Sequence, residues 1–188
     1  GGGAEIFAPR VRGKISYDKC DGAHYLSVHR TAHGLGMRTN VTMLYGHIET
    51  MDERIDHLLQ VRALQDETHG FQAFIPLAFH PDNNQMRKLP APTGTDTLKV
   101  HAVSRLMLDN IPHIKAFWIM QGIGLSQVAL SWGCDDLDGT VVWYDITKRQ
   151  GHGTHQEMTV EQLHRLIREA GFTPVERDTL YHPLSLTR

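Results

Sequence analysis

Two short histidine-containing segments carry the residue types needed for acid–base chemistry or for holding a polar ligand. In the first, Gly46 permits close approach of the backbone, His47 can exchange a proton near neutral pH, and Glu49 can accept one. In the second, His80 and Asn83 offer an imidazole and an amide on a proline-containing loop. His47, Glu49 and His80 are therefore candidate catalytic residues. A helix start and an ordinary surface loop are the structural alternatives for the two segments.

A third segment concentrates negative charge. Asp135, Asp136 and Asp138 place three carboxylates within four positions. In a strand, Asp136 and Asp138 share one face, and interior carboxylates need hydrogen-bond donors or a cation. Ribose hydroxyls would suit them. The Gly122–Gly124 turn before a predicted helix is weaker evidence for an anion site, because ordinary strand-to-helix turns also use glycine.

Helical and strand-like periods alternate along the chain and would position these segments. The predicted helices cover residues 23–33, 50–70, 96–109, 122–132 and 159–170. The predicted strands cover residues 39–45, 71–77, 114–120 and 136–142. Thr159, followed three residues later by Gln162, predicts a capping box at the start of the last helix.

Strands that alternate with helices at this spacing predict an α/β fold with a parallel sheet and outer helices. Ligands of such folds meet the carboxyl ends of the strands, which is where the three segments above are predicted to lie. Four strands do not close a barrel and would leave two unpaired edges. The chain also opens on a glycine turn, residues 1–7, as though a preceding element were missing.

Composition narrows the class of protein. With 188 residues and 40% hydrophobic content, the chain is expected to form a single domain, residues 1–188. The net charge of −2 argues against nucleic acid as a partner. The longest apolar stretch, residues 114–132, is interrupted by polar residues, so no membrane span is expected. Two distant cysteines without an apolar leader predict a cytoplasmic location.

Thirteen histidines raise the question of a metal site. His29 and His33 lie four apart on one helix face, and His152 and His155 lie three apart in a loop. The sequence contains no HExxH or paired CxxC motif, so these side chains are predicted to be solvated or structural, and no metal ligand is assigned. Cys134 is predicted to be a small buried residue rather than a reactive thiol.

Several longer motifs support a family resemblance. They are GGGAEIF (1–7), HRTAHGLG (29–36), TMLYGHIET (42–50), QDET (65–68), GFQAFIPLAFHP (70–81) and DDLDGT (135–140). Together they resemble the carboxyl-terminal half of the aminodeoxyfutalosine synthases, radical S-adenosylmethionine enzymes of menaquinone biosynthesis by the futalosine route. The resemblance runs from residue 1 to about residue 181 and is weakest between residues 143 and 158.

The resemblance implies a fold and a missing part. It identifies the chain as the later half of a radical S-adenosylmethionine (β/α) barrel. The family binds its 4Fe-4S cluster through a CxxxCxxC loop after the first barrel strand, and this sequence has no such loop. We therefore expect either an amino-terminal half or a dimer partner to cover the sheet edges, and expect the chain alone to be inactive.

The resemblance also implies a small-molecule reaction. In the family, a 5′-deoxyadenosyl radical from S-adenosylmethionine adds to 3-[(1-carboxyvinyl)oxy]benzoate, and loss of bicarbonate gives aminodeoxyfutalosine. This implies His47 and His80 near the substrate carboxylates and Glu49 as a proton-handling or ribose-binding group. The residues implied for binding the nucleoside cofactor are Gly1, Gly2, Gly3, Asp136, Asp138 and Thr140.

Three alternatives remain open. The related dehypoxanthinylfutalosine cyclases and deazaflavin-cofactor synthases share the YGH-type and DDLDGT-type segments. A non-catalytic half-barrel that dimerises and binds nucleosides weakly is the alternative from the class of binding proteins. A metal-dependent hydrolase that uses the histidines and residues 135–138 is the third.

Overall fold

A computed structural model describes residues 3–82, 84–140 and 158–184. The helices are α1 (Pro9–Ile15), α2 (Gly22–Gly34), α3 (Met51–Thr68), α4 (Gly94–Met107), α5 (Trp118–Gln121), α6 (Ile123–Ala129) and α7 (Val160–Glu169). A 3-10 turn at Leu130–Trp132 extends α6. The strands are β1 (Thr39–Tyr45), β2 (Phe71–Ala78), β3 (His113–Ala116) and β4 (Asp136–Leu137).

The four strands form one parallel sheet in the order β1-β2-β3-β4. Each crossover between neighbouring strands contains a helix, as parallel pairing requires. The predicted α/β class with parallel strands and outer helices is thus confirmed. Among the helices that the structure describes, none combines the length and apolar content needed to cross a bilayer.

The two faces of the sheet differ. On β1, Met43 packs among residues of α3 and α4, and the Tyr45 hydroxyl donates to Thr97 Oγ1 of α4 at 2.9 Å. Alternate side chains point to opposite faces of a strand. The opposite face, here called the inner face, therefore carries the side chains of Leu44, Ile75, Leu77, His113, Lys115 and Asp136, which follow from the strand register.

Most element boundaries follow local signals. Thr50 and Glu53 form a capping box at the start of α3, and Thr159 and Gln162 form the predicted one at the start of α7. Helix α1 was not predicted from the sequence, although Pro9 at its first turn is a recognised start signal.

The predicted strand over residues 114–120 is wrong in its second half. The strand ends at Ala116, and residues 118–121 form α5. The β3–β4 ladder pairs only Lys115 with Asp136 and Ala116 with Leu137. Beyond it, the buried Trp118 indole donates to the carbonyls that follow β4. The fourth strand was likewise predicted too long: it ends at Leu137, and residues 141–142 lie outside the described part of the chain.

Candidate functional site

The turn that follows β1 is held by glycine geometry. Gly46 has φ +89°, a left-handed conformation that glycine adopts without strain. A Cβ at this position would lie 2.7 Å from carbons of the Pro92 ring. The 79–93 loop therefore packs directly against the turn at residues 46–49, and only glycine leaves room for that contact.

Glu49 is the anchor of this turn. Its side chain is fully buried and accepts hydrogen bonds from the backbone N–H groups of Gly46 at 2.5 Å and His47 at 2.9 Å. Arg54 Nε donates to it at 2.8 Å, and the same guanidinium forms a two-point ion pair with Asp96 of α4. Burial alone would raise the pKa of Glu49, but the hydrogen bonds from His47 and Gly46 outweigh it and lower the pKa to about 2. Glu49 is therefore a carboxylate at neutral pH.

The His47 side chain is also fully buried. Its Nε2 donates to the Leu44 carbonyl at 3.1 Å, and its Nδ1 lies 2.8 Å from the Ile48 backbone nitrogen and 2.9 Å from a Glu49 oxygen. Both ring nitrogens are thus used within the turn. The imidazole shapes the backbone that follows β1.

The loop after β2 presents its histidine differently. His80 is partly exposed, and its Nε2 donates to the Met120 carbonyl of α5 at 2.8 Å. No hydrogen bond to Nδ1 is seen among the described residues, which leaves that atom as an acceptor when the ring is neutral. The Phe79 ring meets the His47 ring edge-on at 6.0 Å, so the turn after β1 and the loop after β2 are in contact. Asn83, proposed with His80, lies outside the described residues.

The inner face carries a charge cluster at β3 and β4. The Lys115 Nζ lies 2.7 Å from Asp138 Oδ1 and 3.8 Å from Asp136 Oδ2, so the two carboxylates share a face as predicted. Asp136 also accepts from Arg177 and from the Tyr181 hydroxyl, each at 2.6 Å. Asp136 is thus saturated by protein donors, whereas Lys115 is the one side-chain partner of Asp138 seen among the described residues.

A cavity of about 530 Å³ lies beside β4. Asp136, Asp138 and the exposed Thr140 line one side of it, and α7 and the segment that follows it line the other. The cavity offers carboxylates, a hydroxyl and an apolar wall, a combination of apolar lining with a few polar groups that is common in small-molecule sites.

The turn at residues 3–6 borders the opposite edge of the sheet. Gly3 and Glu5 have φ +91° and +47°, and the Glu5 carbonyl accepts from the Leu44 backbone N–H at 2.9 Å. The buried Arg12 guanidinium donates to the carbonyls of Gly3, Ala4, Ile6 and Cys20. Non-glycine left-handed backbone is strained and persists where surrounding contacts enforce it, as Arg12 does here. Gly1 and Gly2 lie outside the described residues.

These segments form a continuous row of contacts along the carboxyl ends of the strands. The turn after β1 meets the loop after β2, His80 of that loop meets α5 after β3, and Trp118 of α5 donates to the carbonyls of Asp138 and Gly139 after β4. The structure thus brings His47, Glu49, His80 and Asp138 to one edge of the sheet, as expected for parallel α/β folds.

The histidine pair on α2 has structural partners. His29 Nδ1 and His33 Nε2 lie 2.8 and 2.7 Å from the Thr39 hydroxyl, and burial lowers the pKa of His29 to about 4. In the described part of the chain, no group of three or more His, Cys, Asp or Glu side chains is placed to hold a metal ion. His152 and His155 lie outside that part.

The cysteines do not fit an iron–sulfur cluster. Cys20 is exposed and Cys134 is buried, and burial raises the pKa of the Cys134 thiol well above its usual range. Cysteine ligation of a cluster normally takes three or four thiolates, and this sequence has two cysteines. No step of a mechanism in this chain is therefore assigned to such a cluster.

Sequence reasoning missed Lys115, Arg12, Arg177 and Tyr181. Lys115 carried a usable signal, because a lysine inside an otherwise apolar strand needs a buried counter-charge, and the acidic segment after it supplies one. The other three act on partners that no local pattern connects to them.

Comparison of the sequence with known proteins identifies a family and several similar enzymes. Residues 68–188 match the family model described as the CofH/MqnC C-terminal region. The chain is 54% identical over 185 residues to an aminodeoxyfutalosine synthase of Thermus thermophilus. The aligned region covers 96% of the chain and 50% of that protein. It is 47% identical to the aminodeoxyfutalosine synthase of Streptomyces coelicolor, over 98% of the chain and 50% of that protein.

A relative with a different name also aligns over nearly the whole chain. A 5-amino-6-(D-ribitylamino)uracil–L-tyrosine 4-hydroxyphenyl transferase of Methanopyrus kandleri is 39% identical over 99% of the chain and 52% of that protein. The chain therefore spans about half the length of the curated relatives that it matches.

Proposed function

The chain belongs to the CofH/MqnC family, matching the model of its C-terminal region, and on this basis we propose that it forms the later half of a radical S-adenosylmethionine enzyme of the aminodeoxyfutalosine synthase type. The observation that carries the proposal is the 54% identity to a synthase of that name over 96% of the chain. The four parallel strands support the assignment as part of a (β/α) barrel.

The proposed reaction joins two small molecules in the menaquinone pathway. In the proposed overall reaction the C5′–S bond of S-adenosylmethionine would break and release methionine, and a carbon–carbon bond would form between C5′ and the enol-ether double bond of 3-[(1-carboxyvinyl)oxy]benzoate. Water would take up the lost carboxyl group as bicarbonate, leaving aminodeoxyfutalosine. We propose that the cluster needed for this chemistry is held by an amino-terminal half of the same polypeptide, since Cys20 and Cys134 do not fit it.

The residues of this chain would bind and orient the reactants. His80 is the proposed contact for a substrate carboxylate. Its ring is partly exposed at the strand ends and its Nε2–H is used by the Met120 carbonyl, so it is the protonated ring that offers an Nδ1–H donor to the carboxylate. His47 and Glu49 are proposed to hold the turn after β1 in the shape that faces the same ligand. In this assignment Glu49 acts as an ionised hydrogen-bond acceptor and His47 as its partner.

The nucleoside part of S-adenosylmethionine is proposed to lie toward β4. Another part of the ligand is proposed to reach the turn at residues 3–6, since β1 and β4 are the two outer strands of the sheet. Asp138 has an acceptor oxygen beside Lys115 that ribose hydroxyls could use, and Thr140 adds a hydroxyl at the cavity wall. Asp136 would support Asp138 without contacting the ligand, since its oxygens already accept hydrogen bonds from Arg177 and Tyr181. The glycine-rich turn that contains Gly3 is proposed to give the ligand close access to the backbone.

The transferase of Methanopyrus kandleri supports a second candidate, a deazaflavin-type synthase of the same family. The two candidates differ in substrate. The complete polypeptide, reconstituted with iron and sulfide and then reduced, should consume S-adenosylmethionine with 3-[(1-carboxyvinyl)oxy]benzoate. It should not do so with tyrosine and 5-amino-6-(D-ribitylamino)uracil. Mass spectrometry of the products distinguishes the candidates, and a tyrosine-dependent product would replace the first with the second.

A further inference from the structure

The segment that follows α7, residues 172–184, is here called the strap. It closes on itself: the Leu184 backbone N–H donates to the Glu176 carbonyl at 2.8 Å, and Arg177 and Pro183 form an antiparallel bridge. The Asp178 carboxylate accepts from the backbone N–H groups of Leu180 and His182. These contacts close the strap into a hydrogen-bonded turn.

Two strap side chains converge on one carboxylate of the inner face. Arg177 donates to both oxygens of Asp136, at 2.6 and 3.3 Å, and the Tyr181 hydroxyl donates to one of them at 2.6 Å. The Tyr181 ring stacks on His113 of β3 with centroids 3.9 Å apart and planes within 8°. The Arg177 guanidinium lies 3.9 Å from the centroid of the Tyr181 ring on which it packs. Tyr181 keeps this position despite a left-handed φ of +66°.

These contacts decide which carboxylate Lys115 pairs with. The charge of Asp136 is already matched by a two-point arginine contact and a phenol. The Lys115 ammonium accordingly lies 2.7 Å from Asp138 but 3.8 Å from Asp136. Asp138 is the more exposed of the two, with 18% of its side chain accessible against 9%.

We propose that Arg177 and Tyr181 are positioning residues. Their hydrogen bonds hold Asp136, so that Lys115 pairs with Asp138 and fixes the orientation of Asp138 toward the nucleoside ligand. The assignment of Asp138 to the ligand rests on the function proposed above. The strap's hold on Asp136 and Lys115 rests on the contacts alone. Tyr181 does not line the cavity assigned to the ligand, whereas Arg177 does, so loss of the Tyr181 hydroxyl should act through Asp136 and weaken binding of S-adenosylmethionine rather than slow its chemistry.

The kinetic test uses the complete polypeptide and the change Tyr181→Phe, which removes one hydroxyl. We expect the KM for S-adenosylmethionine to rise about fivefold while kcat stays within about twofold. The rise is smaller than the roughly tenfold or more of a direct hydrogen bond to a charged group, because Tyr181 acts on the ligand only through Asp136. In an Asp138→Asn background the same change should add less than about twofold, because both act on one contact. Tyr25→Phe is the matched control: it also removes a buried hydroxyl, one that meets Thr42 rather than a carboxylate.

A second readout does not depend on activity. Acetic anhydride labelling of Lys115, quantified by mass spectrometry, should rise about threefold or more in Asp138→Asn, which removes the partner of the ammonium. In Tyr181→Phe it should fall by about twofold or more, because the Asp136 oxygen that loses its phenol donor becomes a second carboxylate partner for Lys115, and in Tyr25→Phe it should stay unchanged. If Tyr181→Phe does not fold, Arg177→Lys serves in its place, since it keeps the charge but loses the two-point contact.

The outcomes separate the two proposals. Unchanged or increased Lys115 labelling in Tyr181→Phe or in its substitute Arg177→Lys overturns the role of the strap, whatever the activity. Reduced labelling in a polypeptide that never consumes S-adenosylmethionine supports the strap contacts and rejects the proposed function. Turnover with equal KM values for Tyr181→Phe and Tyr25→Phe also rejects the positioning role.

Discussion

Replacing Gly46 with alanine should separate the contribution of one close contact from that of backbone strain. Two penalties apply to this change. The residue has φ +89°, where a side chain is strained, and the new Cβ would lie 2.7 Å from two carbons of the Pro92 ring. The first penalty is about 1–2 kcal/mol. The second, overpacking against a proline ring, adds about 1–3 kcal/mol.

Gly36→Ala is the matched control. Gly36 has φ +80°, and a Cβ there would meet nothing within 4 Å, so it suffers the strain without the contact. We expect Gly46→Ala to lower the free energy of unfolding by about 2–5 kcal/mol and Gly36→Ala by about 1–2 kcal/mol.

Urea unfolding followed by circular dichroism measures both values. A difference of at least about 1 kcal/mol in the expected direction supports the packing of the 79–93 loop on the turn after β1. Equal losses in the two variants would refute that packing, and with it the reason given for glycine at position 46.

Three further changes test other contacts of the site by urea unfolding. Arg12→Met should lower the free energy of unfolding by about 3 kcal/mol or more, because the buried carbonyls of the turn at residues 3–6 lose a charged donor. Glu49→Gln should remove a pH dependence: the depressed pKa of Glu49 stabilises the fold above pH 4.5, and that stability is lost as pH falls toward 2, at up to about 1.4 kcal/mol per pH unit. Burial lowers the pKa of His57 to about 3, so the neutral ring takes up a proton on unfolding and the free energy of unfolding falls as the pH drops from 6.5 to 3. His57→Gln should remove this pH dependence.

Each of these changes has an exposed counterpart. Lys14→Met, Glu161→Gln and His24→Gln alter a cationic, an acidic and an imidazole side chain on the surface of α1, α7 and α2, matching Arg12, Glu49 and His57 in charge class. They should leave the free energy of unfolding within about 0.5 kcal/mol of the unsubstituted protein. A buried variant that behaves like its exposed counterpart would contradict the contact assigned to it.

Local patterns predicted the elements and the edge of the sheet where the candidate residues lie. The strand over residues 39–45 matches β1, and the capping box of Thr159 and Gln162 is present. His47, Glu49 and His80 could be placed because a parallel sheet brings its carboxyl ends to one edge. The predicted strand over residues 114–120 was wrong beyond Ala116, since nothing local reveals that the partner strand has two residues.

The contacts that tune the site could not be predicted from sequence. Arg177 and Tyr181 reach Asp136 across 41 and 45 residues, and Arg12 binds carbonyl groups rather than side chains. Such pairings form only once the sheet is assembled, so hydrophobic periodicity and capping signals do not predict them. The sequence also did not predict that the side chains of His47 and Glu49 are fully buried, because residue type alone does not show whether a turn directs its side chains inward or outward.

Hydrogen exchange on the complete polypeptide, with and without S-adenosylmethionine and 3-[(1-carboxyvinyl)oxy]benzoate, tests most directly whether the carboxyl ends of the strands bind the reactants. We predict protection on ligand addition at residues 46–49, 79–81, 117–122 and 138–140, and no change at residues 69–71, where β2 begins. Protection confined to helices α2, α3 and α4, or absent from all four segments in a polypeptide that binds S-adenosylmethionine, would contradict this location.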